Sequence, residues 1–175
     1  MRLILLRHAK AEKAEGGSRD LERPLSARGR ADAPRIGAYM AHHALLPDRI
    51  LVSTARRTRQ TWDGVASAWS VRPEPDFIDR LYNAGAETIF GVIREPGQTA
   101  ATLMVIGHNP GLHDAARALI AAGDVEARER LAEGLPTSGL LVIDFAGKDW
   151  RKLHPRGGRL ERFVSPRSLA ATDPA

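Results

Sequence analysis

The 175-residue sequence contains no cysteine. That excludes disulfides, thiolate metal sites and a cysteine nucleophile. Aromatic residues make up 5% of the chain, too few for the stacking platform of a single-strand nucleic-acid binder. No apolar stretch approaches the roughly 18 residues that a membrane span needs. The first apolar run, Leu3 to Leu6, is short and is followed at once by charge, unlike a signal peptide. Spacings typical of metal ligands are missing as well. His42 and His43 are adjacent, so on a helix they face different directions and do not act as an i, i+4 pair. The expectation is a cytoplasmic protein with no membrane contact, no metal and no cofactor.

What is present is ordinary for a globular chain: 43% hydrophobic and 27% charged residues. The length suits one domain over residues 1–175 with a full-sized core. The formal charge is +5 and the pI about 10.2, with arginine supplying most of the basic residues. That balance admits nucleic acid, acidic proteins or phosphorylated substrates as partners. It equally fits a general compositional preference for arginine. The positive charges are scattered, except in Arg56-Arg57-Thr58-Arg59 and the tail from Arg151 to Arg167. Nucleic acid is therefore the least favoured partner.

Short apolar runs bounded by charge predict strands over Arg2–Arg7, Arg49–Ser53, Thr102–Ile106, Leu140–Phe145 and Arg159–Val164, with a short one near Phe77-Ile78. Between Ala9 and Pro24 lies a polar loop containing Gly16-Gly17. Helical spacing predicts helices over Ser26–His43, Ala55–Trp69 and Ala86–Arg94, the last ended by Pro96-Gly97. Ser26 reads as an N-cap, and Pro34 as a kink or as the true helix start. Asn109-Pro110 reads as N-cap and first helical residue, followed by a buried face of Leu112, Ala115, Ala116, Leu119 and Ile120. The charged helix Val125–Glu133 reads as a solvated lid or edge element. The chain from Ser168 on reads as frayed. Alternating strands and helices predict an α/β fold, a three-layer α-β-α sandwich around a mixed, mostly parallel sheet. The last two strands have no long helix between them and are expected as an antiparallel edge.

Chemistry-bearing residues cluster at predicted strand ends. Arg7-His8 follows the first strand, Arg57 the second and His108 the run ending at Ile106. Ligands of open α/β sheets bind beyond the carboxyl ends of strands. Two arginines and two histidines there suit a tetrahedral anion. A guanidinium binds oxyanions bidentately and keeps its charge. Arg57 also falls in a first helical turn, where free N–H groups favour an anion. A histidine attacks phosphorus when one ring nitrogen is free and the other is held as N–H.

The motifs resemble those of a known family. LLRHAKAE resembles the Arg-His-Gly signature of the histidine phosphatase (phosphoglycerate mutase-like) superfamily. VSTARRTRQTW resembles its Ser-Pro-x-x-Arg-Ala-x-Gln-Thr segment, and VIGHNPGL the segment with its second catalytic histidine. The short length, ERPLSARG, Leu81-Tyr82 and FVSPRSL resemble the SixA-type phosphohistidine phosphatases.

The resemblance implies a phosphoglycerate mutase-like fold without the large helical insertion of bigger members. It implies that His8 accepts the phosphoryl group, that Arg7 and Arg57 hold its oxygens, and that His108 completes the pocket. Arg56 is the alternative to Arg57 if the turn is shifted. Arg23 either reaches the pocket or anchors the loop. Asn109 is a helix cap or a substrate contact, and Lys10 either meets an acidic partner or is loop charge.

Three departures stand out: Ala9 replaces the glycine of the signature, Thr54-Ala55 replaces Ser-Pro-x, and the general acid is missing. Only about fifty residues separate Arg57 from His108, so the insertion that carries the acid is absent. Glu87 is the nearest acidic candidate by position, or a first-turn charge. A phosphohistidine substrate needs less acid assistance than an alkyl ester, because its P–N bond releases imidazole. The implied activity is metal-independent hydrolysis of phosphohistidine on a protein, such as a histidine phosphotransfer domain. The alternatives are a phosphatase of sugar or nucleotide phosphates, and a non-catalytic phosphate-binding module.

Overall fold

The computed structural model describes residues 1–14, 19–95 and 99–172. Gly16-Gly17 and Pro96-Gly97 lie outside the described residues.

Among the described residues seven strands form one sheet: β1 (Arg2–Arg7), β2 (Arg49–Ser53), β3 (Asp76–Ile78), β4 (Thr102–Gly107), β5 (Ile120–Gly123), β6 (Leu140–Phe145) and β7 (Gly158–Val164). Their spatial order is β3-β2-β4-β1-β6-β7-β5. Among the described residues, β6 alone runs against the others, since it pairs antiparallel with both β1 and β7. The remaining pairings are parallel. The sheet is therefore mixed and mostly parallel, as expected.

Alternation within each strand splits the core in two. Leu3 and Leu5 of β1 face one side with Leu103 and Val105 of β4. Ile4 and Leu6 face the other with Met104 and Ile106. The first side is covered by α3 (Ala86–Ile93), α4 (Gly111–Leu119) and α5 (Val125–Glu133). On the second lie α1 (Ala27–His42) and α2 (Arg56–Ala66), with Leu169 of α6 (Pro166–Thr172) packed against them. A strand buried on both faces has no polar positions to spare. That explains why β1, β2 and β4 read as unbroken apolar runs.

Several expectations change on contact with the fold. Ser26 caps α1 as read, its Oγ accepting from Gly29 N–H at 3.2 Å. Pro34, however, neither starts nor ends the helix, which runs through it against α2. Packing outweighs the single backbone hydrogen bond that proline forfeits. Helix α2 stops at Ala66, three residues short of the expected end, although Trp69 remains buried edge-on to Trp62. Ile120 leaves the helix face and opens β5, which pairs parallel with β7 and takes the sheet edge expected for the last two strands. Helix α5 packs Ala127 and Leu131 into the core beside β7, so it is an edge element rather than a lid. Of the segment expected to fray from Ser168, residues 168–172 belong to α6 instead, with Ser165 Oγ accepting from Ser168 N–H at 3.3 Å, and residues 173–175 lie outside the described residues.

No helix among the described residues is long and apolar enough to cross a membrane.

Candidate active site

The site is built where β1, β4 and β2 end side by side. The parallel register pairs Arg7 with Gly107, so the residues that follow, His8 and His108, emerge together. His8 N–H donates to the Gly107 carbonyl, and Ser138 N–H donates to the His8 carbonyl. The two imidazoles sit 5.2 Å apart between centroids, tilted by 57°.

The motif residues around them tie three segments into one frame. Thr61 Oγ1 accepts from Ala9 N–H at 2.9 Å and donates to the Arg57 carbonyl. Gln60 Oε1 accepts from Leu25 N–H at 2.8 Å. Thus the Gln-Thr pair of α2 holds the loop behind His8 and the Pro-Leu turn. Gly29 is required here, because a Cβ would lie 2.1 Å from the Lys10 carbonyl oxygen. Gly111 has the same role on α4, where a Cβ would lie 1.8 Å from the Ala84 carbonyl oxygen.

His8 is nine-tenths buried, and its Nδ1 lies 2.8 Å from the Ala9 carbonyl. A carbonyl only accepts, so Nδ1 carries the proton and Nε2 keeps its lone pair. Burial, with the charges of Arg57, Arg7 and Arg23, pushes the His8 pKa down to about 4. The ring is therefore neutral and nucleophilic at neutral pH. The substitution of Ala9 for glycine does not disturb this bond, since the side chain of Ala9 is buried and its carbonyl is free to accept.

His108 is held from the opposite side. Its Nε2 lies 2.7 Å from Ser53 Oγ, which also accepts from Ala55 N–H. With the Ser53 hydroxyl donating to Nε2, the His108 proton sits on Nδ1. That Nδ1 is buried without a partner among the described residues. Burial first, then competition with the His8 ring for a proton and the charges of Arg57 and Arg7, push the His108 pKa down to about 3.

These shifts make a stability prediction. Both histidines are neutral in the fold but take a proton near pH 6.5 when unfolded. The unfolded chain then binds more protons below that pH, so stability is intact above about pH 6.5 and falls as the pH drops toward 4. His8 alone accounts for about 3 kcal/mol over this window. Thermal melts from pH 7.5 to 4 are expected to show a steep acid decline in the wild type and a shallower one in His8→Asn. Equal slopes would rule out the burial effect.

Arg57 is 2% exposed and lines the pocket, whereas Arg56 is exposed on the outer side of α2. The Arg57 fork grips Asp20: Nη1 donates to the backbone carbonyl at 2.7 Å and Nη2 to the carboxylate at 3.0 Å. Arg7 donates through Nη1 to the Leu135 carbonyl at 2.8 Å. The Nε atoms of Arg7 and Arg57 are buried and unpartnered among the described residues. Arg23 does both things foreseen for it: it lines the pocket and anchors the loop, through Asp20 at 2.9 Å and the Glu12 carbonyl. Lys10 also lines the pocket, which encloses about 390 Å³.

Two expectations fail here. Asn109 is not the cap of α4, which begins at Gly111 after Pro110. Its Nδ2 instead donates to the Leu135 carbonyl at 2.9 Å, and the residue lines the pocket. Glu87 is exposed on α3 and does not line the pocket. The acidic residue that does is Asp20, on a 3-10 turn over Asp20–Glu22. Tyr82 Oη donates to its carboxylate at 2.7 Å, and with Arg57 and Arg23 this holds the Asp20 pKa below the usual carboxylate range. Sequence reading passed over Asp20 because it sits in a polar loop among other charges. Its only local signal was its position three residues before Arg23. Ser53 was visible only as a motif letter.

No group of three or more potential metal ligands occurs among the described residues. What the arrangement offers an anion is two guanidinium groups and the unpartnered Nδ1 of His108 around a lone pair on His8 Nε2.

Comparison with known proteins agrees with this geometry. The family model described as "Histidine phosphatase superfamily (branch 1)" matches residues 3–89. An uncharacterized protein of Mycobacterium tuberculosis is 34% identical over 164 residues, covering 93% of this chain and 100% of that one. The crystal structure of a candidate phosphohistidine phosphatase SixA from Agrobacterium tumefaciens is 36% identical, with a TM-score of 0.79 over 94% of this chain and 97% of that one. At 14% identity the fold alone is shared with a phosphoserine phosphatase of Entamoeba histolytica, TM-score 0.62 over 96% of this chain and 98% of that one.

Proposed function

Since this chain belongs to the histidine phosphatase superfamily, we propose that it hydrolyses phosphohistidine on a protein through a phosphorylated His8. The observation that carries this reading is the pairing of a free Nε2 on His8 with the unpartnered Nε atoms of Arg7 and Arg57 and Nδ1 of His108 in one pocket.

In the first step the His8 Nε2 lone pair attacks phosphorus. A new N–P bond forms and the P–N bond of the substrate breaks. The distal nitrogen of the substrate ring takes a proton from water, so neutral imidazole departs. Arg7 and Arg57 neutralise the equatorial oxygens, and His108 Nδ1–H donates to one of them. Positive charge gained by His8 is shared with the Ala9 carbonyl through Nδ1–H. Water then attacks phosphorus from the opposite side, the Nε2–P bond breaks, and inorganic phosphate leaves.

The choice of phosphohistidine over an ester rests on Asp20. An alkoxide needs a proton at the moment of cleavage, and an efficient donor has a pKa near the working pH. Three donors hold Asp20 in its ionised form, so it is a poor acid. Glu87 is too remote to replace it. An imidazole leaving group tolerates this lack. An ester substrate would require Asp20 to release Arg57 and gain a proton first.

Phosphate release from a phosphohistidine-bearing protein, compared with sugar and nucleotide monophosphates in EDTA, tests the reading. Turnover of the phosphohistidine protein is expected to exceed that of any ester by at least a hundredfold, unaffected by EDTA. Faster ester turnover would move the protein to the small-molecule class.

A further inference from the structure

A second cavity of about 630 Å³ opens beside the catalytic pocket and shares Arg7, Asn109 and Thr137 with it. Its other charged lining residues are Arg28 of α1, Arg130 and Glu133 of α5, and Arg167 of α6. Four arginines from separate elements thus face one glutamate. Between them lie apolar surfaces from Leu135, Phe163 and Pro166. The groove is continuous with the reaction centre: the Leu135 carbonyl accepts from both Arg7 and Asn109.

Arg28 and Arg167 are only lightly committed, while Arg130 is positioned by Phe163. Arg167 is exposed, and no hydrogen bond or ion pair joins its side chain to a described residue. Arg28 is 72% exposed, its Nε 3.5 Å from Asp32. Arg130 stacks 4.7 Å over the Phe163 ring and donates to the Phe163 carbonyl. Its Nη1 is a distant 3.7 Å from Glu126. A fold does not need four like charges around one cleft, and their mutual repulsion is relieved when an anionic partner enters.

We propose that this groove docks an acidic segment of the phosphorylated protein, placing carboxylates on Arg28, Arg130 and Arg167 and an apolar side chain between Leu135 and Phe163. The proposal rests on the phosphohistidine reading for its substrate. Charge complementarity selects the partner, and the apolar walls favour a polypeptide over a sugar–phosphate backbone. The shared Arg7 fixes the direction, with the docked segment leading into the phosphoryl pocket. Docking of this kind supplies the specificity that a small pocket for phosphate and imidazole lacks.

The test uses the full chain and the variant R28E/R167E, both substitutions being at exposed positions. The probe is a fluorescent 12-residue peptide, one histidine flanked by glutamates and leucines, with a glutamine-for-glutamate peptide as control. Binding of the unphosphorylated acidic peptide is expected to be at least tenfold tighter than that of the control, weakened by salt, and lost in the variant. In parallel, the ratio of kcat/KM for the phosphorylated acidic peptide to that for free phosphohistidine is expected to fall about tenfold or more in the variant. Equal binding of the two peptides, or an unchanged ratio, overturns the groove while leaving the phosphohistidine reading intact. Arginine-dependent peptide binding without phosphohistidine hydrolysis sustains the groove and defeats the reading. Tighter, arginine-dependent binding of a random oligonucleotide, or a rise in KM for a dianionic ester alone, also overturns the proposal. Arg130→Lys, which keeps the charge over Phe163, is expected to preserve peptide affinity within about twofold.

Discussion

His8→Ala is expected to reduce phosphate release by a factor of about 10⁴ or more, the scale of loss when a nucleophile is removed. The geometry leaves no substitute. His108 is nearby, but its Nε2 is engaged by Ser53 Oγ at 2.7 Å and its Nδ1 is buried, so His8 is the ring whose Nε2 is left open to the pocket. Rapid quench of wild type with labelled substrate is expected to give protein-bound phosphate that acid removes and alkali spares, as befits a phosphoramidate. Peptide mapping should place it on His8. A variant with wild-type turnover, or label on another residue, would refute the nucleophile assignment. Inorganic phosphate should still bind the variant, because Arg7 and Arg57 remain.

Arg57→Lys comes second, with an expected loss of about 10² to 10³ in kcat/KM. The substitution keeps a charge but removes the planar fork, and one preorganised donor in a dry site is worth that much. It also replaces the two guanidinium nitrogens that reach the Asp20 carbonyl and carboxylate with a single ammonium, leaving Tyr82 and Arg23 as the other partners of the carboxylate. Part of the effect is therefore expected as a lower melting temperature, since a poorly satisfied polar group costs about 1–3 kcal/mol. Arg56→Lys is the control. Its side chain is exposed one residue away, and its kinetics should match wild type. Steady-state kinetics on the pair decides between them; equal losses would mean that charge near α2, not the buried fork, is what matters.

Much of the fold was legible because burial leaves a mark in one dimension. Strands β1, β2, β4 and β6 are enclosed on both faces, so their apolar runs had sharp ends. β5 was hidden because Ile120-Ala-Ala-Gly123 continues the apolar spacing of α4, and only pairing with β7 makes it a strand. Pro34 is a related case: local stereochemistry allows it as a helix start, whereas α1 begins at Ala27 and runs through it in contact with α2. In α6 the signal, Ser165 before Pro166, was present and was outweighed by nearness to the terminus.

The sequence by itself determined the mixed α/β class, the strand ends that carry Arg7, His8, Arg57 and His108, and the absence of a thiol nucleophile. Those are matters of residue type and spacing, which the chain states directly. Only the tertiary structure decided which nitrogen of His8 is free, because the proton on Nδ1 is set by the direction of the Ala9 carbonyl. It also left Arg56 outside the pocket as the motif spacing implied, kept Glu87 out of it, brought Asp20 in to hold Arg57, and turned Asn109 from a cap into a wall of the pocket. It brought Arg28, Arg130 and Arg167 from three helices to one groove. Distances across the chain depend on how helices pack on a twisted sheet, and no local pattern of residues records them.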